Sequence, residues 1–233
     1  MRAAPVRRRA LLHAAAFGAA VVLPVVALAV VVRGGSGAVV TFDEAVVRAA
    51  TDLTRESDAL RTALIAWQEA AAARWVNLIL VPVVCVWAWR RHGLGDRALW
   101  AAGTVAAGWV LQLAAKGIVQ RARPVIEDAV ARAPGSSFPS GHATNASVVA
   151  VTLTLLVWPV LGRRGRVVVP AAAVAFVLLT AADRVLLGVH YPSDVVGGVL
   201  LGAAIAGASY VGYRRTAAGT PIDDQLDPTG STP

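Results

Sequence analysis

Residues 98–116 read ALWAAGTVAAGWVLQLAAK, an uncharged and largely apolar run that ends on the only lysine of the chain, Lys116. A helix needs about 20 mostly apolar residues to cross the hydrocarbon of a bilayer. Backbone amides find no water there, so a run of this kind satisfies them internally as a helix. Five other stretches repeat the pattern. Leu11 to Val32 carries no formal charge. Ala70 to Trp89 is broken only by Arg74, with Glu69 just before it. Ala143 to Gly162 is uncharged and follows His142. Val167 to Gly188 is apolar until Asp183 and Arg184. Val195 to Tyr213 is uncharged and follows Asp194. The expected fold is therefore all-α: a six-transmembrane-helix bundle over residues 1–215. The tail, 216–233, is rich in Pro, Gly, Thr and Asp, a composition that predicts disorder.

Composition excludes the main alternatives. The 233 residues are 57% hydrophobic and 15% charged, with mean hydropathy +0.62. Soluble domains average about 25% charged, and one of this size could not hide so much apolar surface. A single cysteine, Cys85, excludes an internal disulfide and a multi-cysteine zinc site, and reads as a small buried hydrophobe.

The net charge is +8, and all but one of the 22 basic residues are arginines. They fall in groups at alternate span ends: Arg2, Arg7, Arg8 and Arg9; Arg90, Arg91 and Arg97; Arg163, Arg164 and Arg166; Arg214 and Arg215. The positive-inside rule makes that side, and both termini, cytoplasmic. Segments 33–69, 116–142 and 183–194 then face outward. This distribution explains most of the arginines without nucleic acid, and no nucleic-acid partner is expected. Trp75, Trp87, Trp89, Trp100 and Trp158 near span ends fit an interfacial belt. The Arg-rich start and Ala27-Leu28-Ala29 also suit a signal peptide. The apolar run to Val32 exceeds a signal core of about 7–15 residues, so a retained span is expected.

In the first outer segment, Thr41 and Glu44 have capping-box spacing, and Leu60, Leu64, Trp67 and Ala71 recur at helical spacing. Short amphipathic helices with a packing role are expected there. Gly198 and Gly202 form a small-xxx-small pair suited to close helix contact.

The unusual residues gather in the last two outer segments. Lys116, Arg123, His142, Arg184, His190 and Asp194 each lie at or beside a span end, where an ionisable group is costly and marks function. Three cations can hold a multiply charged anion, Arg as a planar fork and Lys as a point charge. In Pro139-Ser140-Gly141-His142, Ser140 can cap the following helix and Gly141 lets a backbone amide approach closely. A helix start with free amides is an anion site. His142 and His190 can divide nucleophile and acid roles, and Asp194 can fix the tautomer of His190. Arg121 and Arg132 match no position in this pattern and are read as solvated or headgroup-facing. His13 and His92 lie at the other face, and Glu127 and Asp128 read as solvated loop.

These stretches, K-x6-R-P at Lys116–Pro124, P-S-G-H at 139–142 and R-x5-H-x3-D at Arg184–Asp194, together resemble the type 2 phosphatidic acid phosphatase (PAP2) superfamily, which shares its site with the vanadium haloperoxidases. The resemblance implies a membrane lipid phosphatase. His190 would form a phosphohistidine, Asp194 would orient it, and His142 would protonate the leaving oxygen and help activate water. Lys116, Arg123, Ser140, Gly141 and Arg184 would bind phosphate. No metal or other cofactor is implied. Undecaprenyl diphosphate, phosphatidylglycerophosphate and phosphatidic acid are the implied substrate types. One residue departs from the pattern: Asp183 stands where the family usually has Ser, and is expected to turn away or pair with an arginine. A phosphotransferase using the same site stays open. A non-catalytic transporter or lipid-binding protein is the rival class, though transporters favour polar groups near the midplane. Oligomeric state is not legible.

Overall fold

The computed structural model describes residues 19–20, 22–35, 37–126 and 129–217. The N-terminal arginines up to Arg9, His13, Glu127, Asp128 and the tail beyond 217 lie outside the described residues. The described chain is all helical: α1 (Val22–Arg33), then α2 (Gly37–Arg55), α3 (Asp58–Ala70), α4 (Ala73–Trp75), a π-helical turn (Val76–Leu80), α5 (Val81–His92), α6 (Gly95–Val119), α7 (Gly141–Val157), a 3-10 turn (Trp158–Val160), α8 (Gly165–Leu186) and α9 (Pro192–Ala217).

Five stretches are long and apolar enough to cross a membrane: Asp58–His92, Gly95–Val119, Gly141–Val160, Gly165–Leu186 and Pro192–Arg214, or six if α1 and α2 make one broken span. The expected first span is thus described only as α1. Large apolar side chains point outward all round the bundle, among them Leu78, Val83, Leu99, Val110, Val167 and Leu178, as lipid-facing helices require.

The bundle is built around α7. Its inner face, with Val148, Val149 and Leu156, packs on Ala98, Ala101 and Val105 of α6 and on Val81, Cys85 and Ala88 of α5. Lipid tails are as apolar as Leu, so helices associate in membranes mainly by close packing of small residues. The α7–α9 pair uses this fully. A Cβ at Gly198 would meet the Ser140 carbonyl at 2.7 Å, and one at Gly202 would meet Ser147 Cβ at 2.7 Å. Gly202→Leu is therefore expected to overpack the pair at a cost of about 1–3 kcal/mol. That is a fall of roughly 2–4 °C per kcal/mol in thermal unfolding in detergent. An unchanged transition would show that the helices do not touch there.

Two local expectations change. Thr41 lies inside α2, its hydroxyl donating to the Gly37 carbonyl at 2.7 Å, and Glu44 pairs with Arg48. The pair is not a capping box, because helix begins four residues earlier. Trp100 is not purely interfacial: its Nε1 donates inward to Ser209 Oγ at 2.9 Å, and its ring stacks on Tyr213. Arg97 beside it donates to the Leu155 carbonyl and Tyr210 hydroxyl, both at 3.1 Å.

Alternation along the chain separates two faces. Arg90, Arg91, Arg97, Arg163, Arg164, Arg166 and Arg214 sit at one set of helix ends. Lys116, Ser140, Arg184 and Asp194 sit at the opposite ends of the same helices.

Candidate active site

α6 ends at Gln120, which adopts the left-handed conformation (φ 51°) and turns the chain into the 120–140 loop. That loop is wound around Arg123. Its guanidinium donates to the carbonyls of Gly135 (3.0 Å), Val189 (2.7 Å), Pro134 (2.9 Å) and Ser136 (3.3 Å), and reaches His190 Nε2 at 3.2 Å. These five contacts match the five donors of arginine. Lys116 Nζ donates to the Ser136 carbonyl at 2.6 Å, which leaves it two donors. A Cβ at Gly141 would meet Gln112 Oε1 at 2.9 Å and the Lys116 stem at 3.6 Å, so the first motif meets the second.

The 183–194 segment arrives from α8. The Arg184 carbonyl accepts from the amides of Val189 and His190, a turn made possible by Gly188 at φ +70°. A Cβ there would also strike Thr51 and Ile126 at 2.8 Å. His190 is 3% exposed. An arginine always donates, so Nε2 facing Arg123 is the acceptor and Nδ1 carries the proton. Nδ1 faces Ser137 Oγ at 3.4 Å and Asp194 Oδ2 at 3.6 Å. Ser137 donates in turn to Asp194 Oδ2, so a hydroxyl links ring and carboxylate. Burial pushes the His190 imidazole down to about 4; Asp194 pulls upward, and Arg123 and Lys116 add to the fall. At neutral pH the ring is uncharged, with the Nε2 lone pair in place.

His142 hydrogen-bonds the Gln68 backbone carbonyl and lies in the electrostatic field of Arg184, His190 and Lys116. Its Nε2 is buried with no partner, as are Ser140 Oγ and Gln112 Oε1. Ser140 does stand at the N-cap of α7, but its hydroxyl makes no capping bond; the residue is held instead through its amide, donating to the Asp194 carbonyl at 3.0 Å. Arg184, 2% exposed, pairs with Asp183 through Nε and Nη2 and donates from Nη1 to Gln68 Oε1 at 3.0 Å. Asp183 is thus occupied by an arginine, one of its two expected fates. All eight candidate residues converge at one end of the bundle. Among the described residues no three His, Cys, Asp or Glu side chains converge to hold a metal ion.

One expectation fails. Arg121 is neither solvated nor headgroup-facing: its side chain is 8% exposed and pairs with Asp194 at 2.6 Å and Asp43 at 2.7 Å. Its charge is penalised by burial, but Asp194 and Asp43 more than offset this and hold the guanidinium above its ordinary range. Arg123 has less compensation: burial and Arg184 outweigh Asp194 and lower it. The motif positions missed Ser137, Gln68 and Asp43. For Asp43 a signal existed, because it shares a helical stripe with Val47, Thr51 and Thr54, all buried on α2. That helix does more than pack.

Comparison with known proteins follows the same boundaries. A profile described as the PAP2 superfamily matches residues 97–217. Over 93 residues the chain is 40% identical to decaprenylphosphoryl-5-phosphoribose phosphatase of Mycobacterium tuberculosis, alike in two strains. The match takes 39% of this chain and 46% of the relative, so the chain spans about half the length of these curated relatives. Among solved structures, a transmembrane PAP2-type phosphatidylglycerolphosphate phosphatase from Bacillus subtilis is similar with TM-score 0.75 and 25% identity, covering 85% of this chain and 96% of that one. LpxE from Aquifex aeolicus, with TM-score 0.54 and 21% identity over 70% of this chain and 92% of that one, shares the fold.

Proposed function

The chain belongs to the PAP2 superfamily, and from that membership and the geometry above we propose that it is an integral membrane phosphatase acting on a lipid phosphate or diphosphate through a phosphohistidine. The observation that carries the reading is the His190 ring, with Nε2 presented beside Arg123 and Nδ1 backed by Ser137 and Asp194.

In the first step the Nε2 lone pair attacks phosphorus. The bond from phosphorus to the lipid oxygen breaks, and His142, which takes up a proton at Nε2 as the anionic headgroup enters among the cations, gives it to that oxygen. In the second step His142, now neutral, takes a proton from water; the oxygen attacks phosphorus, the P–N bond breaks, and free phosphate leaves. The Arg123 N–H that reaches Nε2 passes to a phosphate oxygen once that lone pair is used. Lys116 and Arg184 retain donors for the other oxygens, and Ser140 Oγ and the Gly141 amide complete the cradle. Donors already fixed where charge develops act strongly in a water-poor site. His190 supplies the nucleophile in a form that needs no deprotonation.

The substrate class follows from position. The cradle lies at span ends, so a headgroup enters there while its tail stays in the bilayer. The M. tuberculosis relative is named for a polyprenyl-phosphoryl sugar phosphate and the B. subtilis protein for a glycerolipid phosphate; both names describe a phosphate on a lipid. The arginine groups at the opposite helix ends support a cytoplasmic assignment for that face, with both termini on it and the site on the extracytoplasmic side.

The test is phosphate release by the purified chain from four lipids: an undecaprenyl diphosphate, phosphatidylglycerophosphate, phosphatidic acid and a polyprenyl-phosphoryl pentose phosphate. Turnover of at least one is expected, unchanged in EDTA because Lys116, Arg123 and Arg184 supply the positive charge. No release from any would overturn the reading, and complete loss in EDTA would overturn the mechanism.

A further inference from the structure

The geometry points to Asp43 and Arg121 as positioning residues that fix the charge and orientation of Asp194, and through it the state of His190. This rests on the phosphohistidine reading above, but neither residue belongs to the motifs that define the site.

Arg121 spends its two terminal nitrogens on different carboxylates. Nη1 donates to Asp194 Oδ1 at 2.6 Å and to Ser193 Oγ at 2.7 Å, and Nη2 donates to Asp43 Oδ2 at 2.7 Å. The Tyr191 ring lies under the guanidinium at 4.3 Å. Asp43 comes from α2 and is fully buried. Its Oδ1 accepts the Ser193 amide at 3.1 Å and its Oδ2 the Ser193 hydroxyl. Asp43 thus grips the first turn of α9 twice, directly at Ser193 and through Arg121 at Asp194. With Oδ1 taken by Arg121, Asp194 is left to present Oδ2 to Ser137, the Tyr191 amide (2.9 Å) and the His190 ring. Asp43 and Arg121 bond to Asp194 and Ser193, so their influence on His190 passes through that carboxylate.

Charge makes the idea testable. Asp43, Arg121 and Asp194 together carry one net negative charge. Removing the cation leaves two, which favours protonated His190; removing Asp43 leaves none, which disfavours it. The other groups facing His190 stay constant: Arg123 from the loop, Lys116 from α6, His142 from α7, and Arg184 from α8 acting through Arg123. The ring must be neutral to attack, so the acid limb of kcat/KM reports its protonation in the free enzyme. In the wild type that limb is expected well below pH 6, because burial lowers the ring.

The experiment measures kcat, KM and the pH profile of the full-length chain with whichever of the four lipids turns over fastest. Arg121→Gln is expected to raise the acid limb by about one pH unit. It should lower kcat roughly tenfold or more with KM little changed. Asp43→Asn is expected to move the limb the other way. The double variant, with one net negative charge restored, is expected to return the limb towards the wild-type position. If the single variants lose activity while their limbs stay where they were, the residues are structural only and the proposal is overturned. If the singles do not fold, the charge-restored double decides: a folded protein with a near-native limb supports the proposal, and its absence overturns it. A wild type silent on all four lipids is a different failure, visible before any variant is made; it removes the phosphatase reading and this proposal with it.

Discussion

His190→Ala is expected to reduce phosphate release by on the order of 10⁴-fold or more in kcat, since loss of a nucleophile removes the covalent route rather than weakening it. The variant should remain folded. The ring is buried, but it makes only contacts of 3.2–3.6 Å with Arg123, Ser137 and Asp194. Loss of such a partner costs about 1–3 kcal/mol. Thermal unfolding in detergent separates this cost from the chemical effect. Rapid acid quench of the wild type with substrate, followed by mass spectrometry, is expected to find one phosphate on the peptide carrying His190. Retained turnover in the alanine variant would exclude His190 as the nucleophile.

Arg123→Ala is expected to be nearly as severe, for two reasons that can be told apart. The side chain gathers the carbonyls of Pro134, Gly135, Ser136 and Val189, and so sets the loop that delivers Ser137 and Ser140. It also donates at Nε2, where phosphorus must arrive. Loss of one donor aimed at developing charge costs about 10²–10³ in kcat, and the loop adds to this. Arg123→Lys keeps the charge but lacks the fork. It is expected to recover phosphate binding better than kcat, so KM returns towards the wild-type value while kcat stays at least tenfold low. Full recovery by lysine would mean that charge alone matters there. An alanine variant within tenfold of wild type would remove Arg123 from the site.

Most of the bundle was legible because hydrophobic length is a one-dimensional signal. The runs ending at Lys116 and starting after His142 and Asp194 became α6, α7 and α9. The Gly198–Gly202 pair became the α7–α9 contact, since a missing side chain predicts close approach whatever the partner. Lys116, Arg123, His142, Arg184, His190 and Asp194 could be put at one set of span ends because each lies beside the end of an apolar run; their roles were implied only by the resemblance. Partners supplied from elsewhere in the fold were not. Arg121 looked like one more interfacial arginine, because only the fold brings Asp43 to it from 78 residues away. Ser137 was hidden for a related reason: its place between His190 and Asp194 depends on how the 120–140 loop closes on Arg123. The capping reading failed in two ways: at Thr41 the helix starts four residues earlier, and at Ser140 the helix starts as expected but the hydroxyl makes no capping bond.

The burial of Asp43 on α2 changes what counts as the smallest working unit of this protein. The recognisable block runs from 97 to 217, the obvious place to cut for a minimal catalyst or for a graft behind another anchor. Such a fragment would carry a guanidinium at 121 stripped of one of its two counterions, and a first turn of α9 without its grip at Ser193. Transplants of this block need α2 to travel with them, or an acidic group rebuilt at the same spot.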